Sequence, residues 1–205
     1  MKNTFLAIAI AVAACFTGLA PRAKAAGVPN ATFSMVRSAG ATAANCIPDA
    51  RGRVTINSLG NVEVMHLEAS GLPPNTEFDA FVTQLPNAPF GLSWYQGDLT
   101  TDENGRGVAD FVGRFSIETF IVAPGSGVAP QVHNQPPFPD ATSNPATGPV
   151  HTFHVGLWFG SPDAASAAGC PNTATPFNGD HNAGIQALST RNFPNTNGPL
   201  RKIKP

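Results

Sequence analysis

Five histidines and three cysteines carry most of the chain's capacity for chemistry, and their spacing limits what they can do. His151 and His154 bracket the start of an apolar run, His133 lies in a proline-rich stretch, and His181 follows Asp180 in a polar turn. His133, His151 or His154, and His181 would form an imidazole set suited to copper or zinc. A strand of period two puts His151 and His154 on opposite faces, so they converge only across a bulge or a loop end. The plain alternative is a core or edge histidine with its hydrogen bonds satisfied. His66 has Met65 beside it, but adjacent strand residues point in opposite directions.

Phe90, Trp94 and Tyr95 cluster in the connection from Pro86 to Gly97. Rings on a connection can stack against a sugar or a peptide, or they can simply cap a core. Hydrolase signatures are missing. In Gly91-Leu92-Ser93-Trp94-Tyr95-Gln96-Gly97 the second glycine falls too late for a nucleophile elbow. Asp79, Asp110 and Glu118 sit on candidate strands, where solvated carboxylates are the ordinary occupants. Asp102-Glu103-Asn104 lacks the twelve-residue ligand spacing of a calcium loop and reads as turn chemistry.

The N-terminus reads as an export signal. A short basic start, Met1 to Thr4, leads into an apolar run from Phe5 to Ala20, and Ala23-Lys24-Ala25 supplies a peptidase site. Residues 1–25 are therefore expected to be a signal peptide, with the protein secreted, periplasmic or at the cell envelope. Val12-Ala13-Ala14-Cys15 offers a second processing route, in which Cys15 is lipidated. Cleavage after Ala25 leaves nine basic and thirteen acidic side chains, a net charge of −4. The remaining lysines are Lys202 and Lys204, in a basic tail over residues 201–205. A lysine-poor, acidic body lacks the basic stripe needed for phosphate backbones, so nucleic acid is not an expected partner. No later segment is apolar enough for a transmembrane span.

Cys46 and Cys170 then form the one available pair, and an oxidising compartment favours a disulfide. Neither has a second cysteine or a histidine at zinc-site spacing. A bridge across 124 residues restricts the unfolded chain by on the order of 4–5 kcal/mol in the loop-entropy account.

The elements that must position these groups are strands. Only 12% of the 205 residues are charged, and glycine and proline number 20 each, while 42% are hydrophobic, including 14 phenylalanines. That mixture excludes helical bundles and coiled coils, and it supplies enough apolar surface for a core. Strands are expected at 53–57 and 62–69 around a Ser58–Asn61 turn, at 77–84, at 108–115 after an Asn104-Gly105 turn, at 116–122, at 150–159 and at 183–188. Ser161-Pro162 through Gly169 reads as a capped short helix. Pro124 to Pro149 holds seven prolines in 26 residues and forms a long loop; a second Pro/Asn/Gly loop follows Cys170.

Leu72-Pro73-Pro74-Asn75-Thr76-Glu77-Phe78 resembles the strand–corner–strand motif of fibronectin type III and related immunoglobulin-like sandwiches. Phe78 stands where those domains carry a hydroxyl-bearing corner tyrosine. The resemblance covers about 20 residues and implies an architecture without an activity. The expected fold is an all-β immunoglobulin-like sandwich of about eight strands over residues 26–200, with one short helix and long Pro-rich loops. Two functions stand side by side. One is a non-catalytic binding or structural module for an extracellular glycan or peptide. The other is a copper or zinc protein using His133, His151, His154 and His181.

Overall fold

A computed structural model describes residues 30–115, 119–120, 150–176 and 182–203. The expected signal peptide, Cys15, Glu118, the whole Pro124–Pro149 loop, His133, His181 and the last two residues lie outside the described residues, as does the side chain of His151.

The fold is all-β. Where apolar side chains alternate, the chain forms strands: β1 (Ala31–Arg37), β2 (Arg51–Ser58), β3 (Glu63–Ser70), β4 (Glu77–Thr83), β5 (Ser93–Thr100) and β6 (Gly107–Gly113). Two-residue strands β7 (Thr119–Phe120) and β8 (Val150–His151) pair with each other, and β9 (His154–Phe159) follows. Strands β10 (Thr175–Pro176) and β11 (Asn182–Ala183) also pair, before β12 (Gln186–Ser189).

Eight of these strands build one antiparallel sheet in the order β5-β4-β9-β12-β1-β2-β3-β6. Its two ends approach each other where the β5–β6 turn closes on a Thr101–Gly107 bridge, so the sheet is nearly a barrel. Two separate facing sheets, as expected for a sandwich, are not seen. The reason lies in β1: Ala31–Met35 pairs with β2, whereas Val36 and Arg37 pair with β12, which joins both halves into one ladder.

Inward-facing residues fill the barrel. Val54, Ile56, Met65, Leu67, Phe78, Leu99, Leu157, Phe159 and Leu188 are all buried in one cluster. Phe78 and Phe159 meet with ring centroids 4.8 Å apart. Each fully buried side chain of this size is worth about 1.5–3 kcal/mol of transfer free energy. A 3-10 turn, Pro199–Lys202, docks Leu200, and the following Ile203, into the same core.

The Leu72–Thr76 corner carries the chain from β3 to β4, strands that are not neighbours in the sheet. It is stitched to the β5–β6 turn: Leu72 N–H donates to Gly105 O, Asn75 N–H to Asp102 O, and the Thr101 hydroxyl to Pro73 O. The Asp102 carboxylate in turn accepts from the Asn104 and Arg106 amides. Those bonds, the Arg106 amide first, hold its carboxyl below the usual range. This is the turn chemistry expected at Asp102-Glu103-Asn104.

Two short helices, α1 (Ala39–Ala43) and α2 (Pro162–Ala167), share one construction. Ser38 and Ser161 cap them by accepting from Ala41 N–H and Ala164 N–H. Asn45 (φ 52°) and Gly169 (φ 75°) turn the chain left-handed after each helix. The next residue in each case is a cysteine whose N–H returns to the helix, Cys46 to Ala41 O and Cys170 to Ala165 O. The helices thus present the two cysteines to each other, and they form the expected disulfide with Cα atoms 5.2 Å apart. Of these elements, α2 is the helix expected from Ser161 to Gly169. β1, α1 and the first half of β5 are additions to the expected set. Among the described residues no helix is long and apolar enough to cross a membrane.

Candidate functional site: the outer face of β5, β4 and β9

Strand alternation sends every second side chain outward, and on β5, β4 and β9 those outward residues are unusual. Register places Asp98, Asp79 and Trp158 in one row across the three strands, with Tyr95, Phe81 and Gly156 in the next. Glu77, two residues before Asp79 at the start of β4, stands in the adjacent row opposite Thr100. Carboxylate oxygens of Glu77, Asp79 and Asp98 lie within 4.8 Å of one another, with Asp79 only 2% exposed.

A bulge creates this arrangement. Tyr95 and Asp98 are three residues apart, which on a regular strand would put them on opposite faces. The β4–β5 register shifts between Ala80 and Phe81, with Gln96 as the extra residue and Gly97 at φ 146°. The shift resets the alternation. The Tyr95 hydroxyl then donates to Asp98 Oδ1 at 2.5 Å. Partial burial, the bond to Asp98, and the charges of Asp98, Asp79 and Glu77 all disfavour the phenolate, so the tyrosine pKa is pushed well above its usual value. Tyr95 is therefore a fixed donor over the whole ordinary pH range.

On the same outer face, continuous with this row at Trp158, lies a small second core of Phe81, Trp158 and Ala183. Phe90 packs edge-on to Trp158 at 4.9 Å, Phe81 meets Trp158 at 5.3 Å, and Tyr95 meets Phe81 at 5.4 Å. Phe90 reaches this position from a tight loop, in which Leu85 N–H donates to Phe90 O and the Gln84 side chain accepts from Leu92 N–H. Gly156 is required here: a Cβ would stand 2.3 Å from the Trp158 ring and 2.6 Å from Gln186 Nε2.

The residues expected to stack a ligand thus divide. Phe90 and Tyr95 are half-buried and pack onto the second core, while Trp94, which faces the other side of β5, is 55% exposed. Trp94 and Tyr95 lie on a strand rather than in a connection, because the turn is confined to residues 84–92 by its own hydrogen bonds.

Of the expected metal ligands, His154 is the one whose surroundings are described. It is fully buried on the outer side of β9. Its Nε2–H donates to Asn195 O at 3.0 Å, and its Nδ1 faces the Thr190 hydroxyl at 3.0 Å. A metal would have to displace one of these oxygens. Burial lowers its pKa, although the bonds at Asn195 and Thr190 act in the opposite direction. His151 stands on β8, and His133 and His181 lie outside the described residues. His66 sits on the far side of the barrel, with Nδ1 2.6 Å from Asp110 Oδ1 and Nε2 3.9 Å from Glu68.

The carboxylate cluster escaped the sequence reading. Asp79 showed as one acid within the apolar run 78–82, an observable oddity, but its union with Asp98 and Glu77 depends on register and bulge. Three clustered carboxylates beside a hydroxyl donor can accept hydrogen bonds from a donor-rich ligand or hold a hard cation by its oxygens. No protein-family model matches the chain, and no curated protein matches it in sequence.

Proposed function

We propose that the protein is an exported, non-catalytic binding module that recognises an extracellular ligand on the outer face of β5 and β4. The observation that carries this reading is the mixed surface there: the half-buried ring of Tyr95 beside acceptor groups of Asp98 and Glu77 on paired strands, with the half-buried ring of Phe90 held close by its hydrogen-bonded loop. Rings give apolar contact, and carboxylates select ligands that bring hydroxyl or amine donors. A glycan has both features, an apolar ring face and hydroxyl donors, so it is the ligand class of this proposal. Export with cleavage after Ala25 is part of the same proposal, motivated by the N-terminal sequence pattern, and the Cys46–Cys170 disulfide is compatible with an oxidising compartment. The change of partner along β1 supports a barrel flattened toward a two-layer, sandwich-like form.

Binding to immobilised envelope polysaccharides, with peptides as the competing class, tests the proposal. Asp98→Asn and Tyr95→Phe are expected to weaken glycan binding by about tenfold each, equivalent to about 1.4 kcal/mol. Binding to peptides alone, or turnover of a substrate, would overturn it. Elemental analysis of untagged protein is the parallel control. Stoichiometric copper or zinc would replace the binding-module reading with the metalloprotein one, in which His133, His151, His154 and His181 are the ligands.

A further inference from the structure

No further inference is drawn: the strongest candidate, the Glu77–Asp79–Asp98 carboxylate cluster on the outer face of β4 and β5, belongs to the site already described, and no second feature of the structure points to a cation bound there.

Discussion

The two histidines whose side chains are described lie on opposite halves of the barrel's outer surface, and they differ in nearly every physical respect. His154, on β9, is sealed beneath the C-terminal segment and bonded to Thr190 and Asn195. His66, on β3, is partly exposed, in a row with Thr55 and Asp110. The same contrast runs through their neighbourhoods. On β4 and β9 the outward residues Trp158, Phe81, Asp79 and Thr83 are buried, while Glu77 and the β5 residue Asp98 stay exposed at the edge of the cover. On β6 they are Val108, Asp110 and Val112, with the valines 60% and 69% exposed. Period-two alternation is common to both halves. What differs is cover: the loop bearing Phe90, the β11 segment bearing Ala183, and the stretch from Thr190 to Gly198 all lie over one half. An outward position on a strand is therefore not a solvent position until the connections have been placed.

The largest effect that would test this asymmetry comes from truncating one apolar side chain on each half. Trp158→Ala should cost about 3–5 kcal/mol, since it empties the second core. Val112→Ala should stay within about 0.5 kcal/mol, as an open surface change. Denaturant midpoints of the two variants decide the matter, and comparable losses would mean that the halves are not differently covered. Gly156→Ala comes next, at about 1–3 kcal/mol from overpacking against Trp158 and Gln186. A neutral result by the same measurement would show that the Trp158 ring is free to move.

Tyr95 sharpens the comparison electrostatically. It is the sole tyrosine of the chain, so the alkaline near-ultraviolet titration reports it alone. Phenolate formation should begin only well above the usual midpoint of 10.0, and Asp98→Asn should bring it back toward that value. A normal titration in the unaltered protein would dissolve the proposed Tyr95–Asp98 bond.

For His154 the sign follows from linkage. Its folded pKa lies below the unfolded value of about 6.5, so the unfolded chain binds more protons in the window between them. Stability should thus be complete above about 6.5 and fall as the solution is acidified through that window. Urea unfolding of the protein and of His154→Gln across mildly acidic pH isolates this contribution, as the difference in slope between the two. An equal slope in both would place the acid sensitivity elsewhere. A further small effect belongs to the open half. His66→Ala should change stability by no more than about 1 kcal/mol, because the His66–Asp110 pair is solvent-exposed.

Much of the fold was legible residue by residue. The Ser58–Asn61 and Asn104-Gly105 turns, the inward face of Phe78, Ala80 and Val82, and the Ser161–Gly169 helix all follow from rules that span a few residues. β1 is hard to read from sequence because its alternation, Phe33 and Met35 among Thr32 and Ser34, is short and follows closely on the apolar N-terminal stretch. The candidate site was less legible. Tyr95 and Phe90 attracted attention as rings, but Asp98 did not, because the Gln96 bulge that turns it toward Tyr95 leaves no mark beyond a glycine.

Composition and local pattern by themselves determined that this chain builds strands and where its tight turns fall, and they pointed to Cys46 and Cys170 as the pair that the structure joins. Only the tertiary structure decided that the strands close into one nearly complete barrel, that Asp79 and Asp98 face each other, and that one half of the outer surface is covered. Turn propensity and alternation act over a handful of neighbours. Sheet order, bulge phase and cover are set by contacts between residues far apart in the chain, and no local rule encodes their sum.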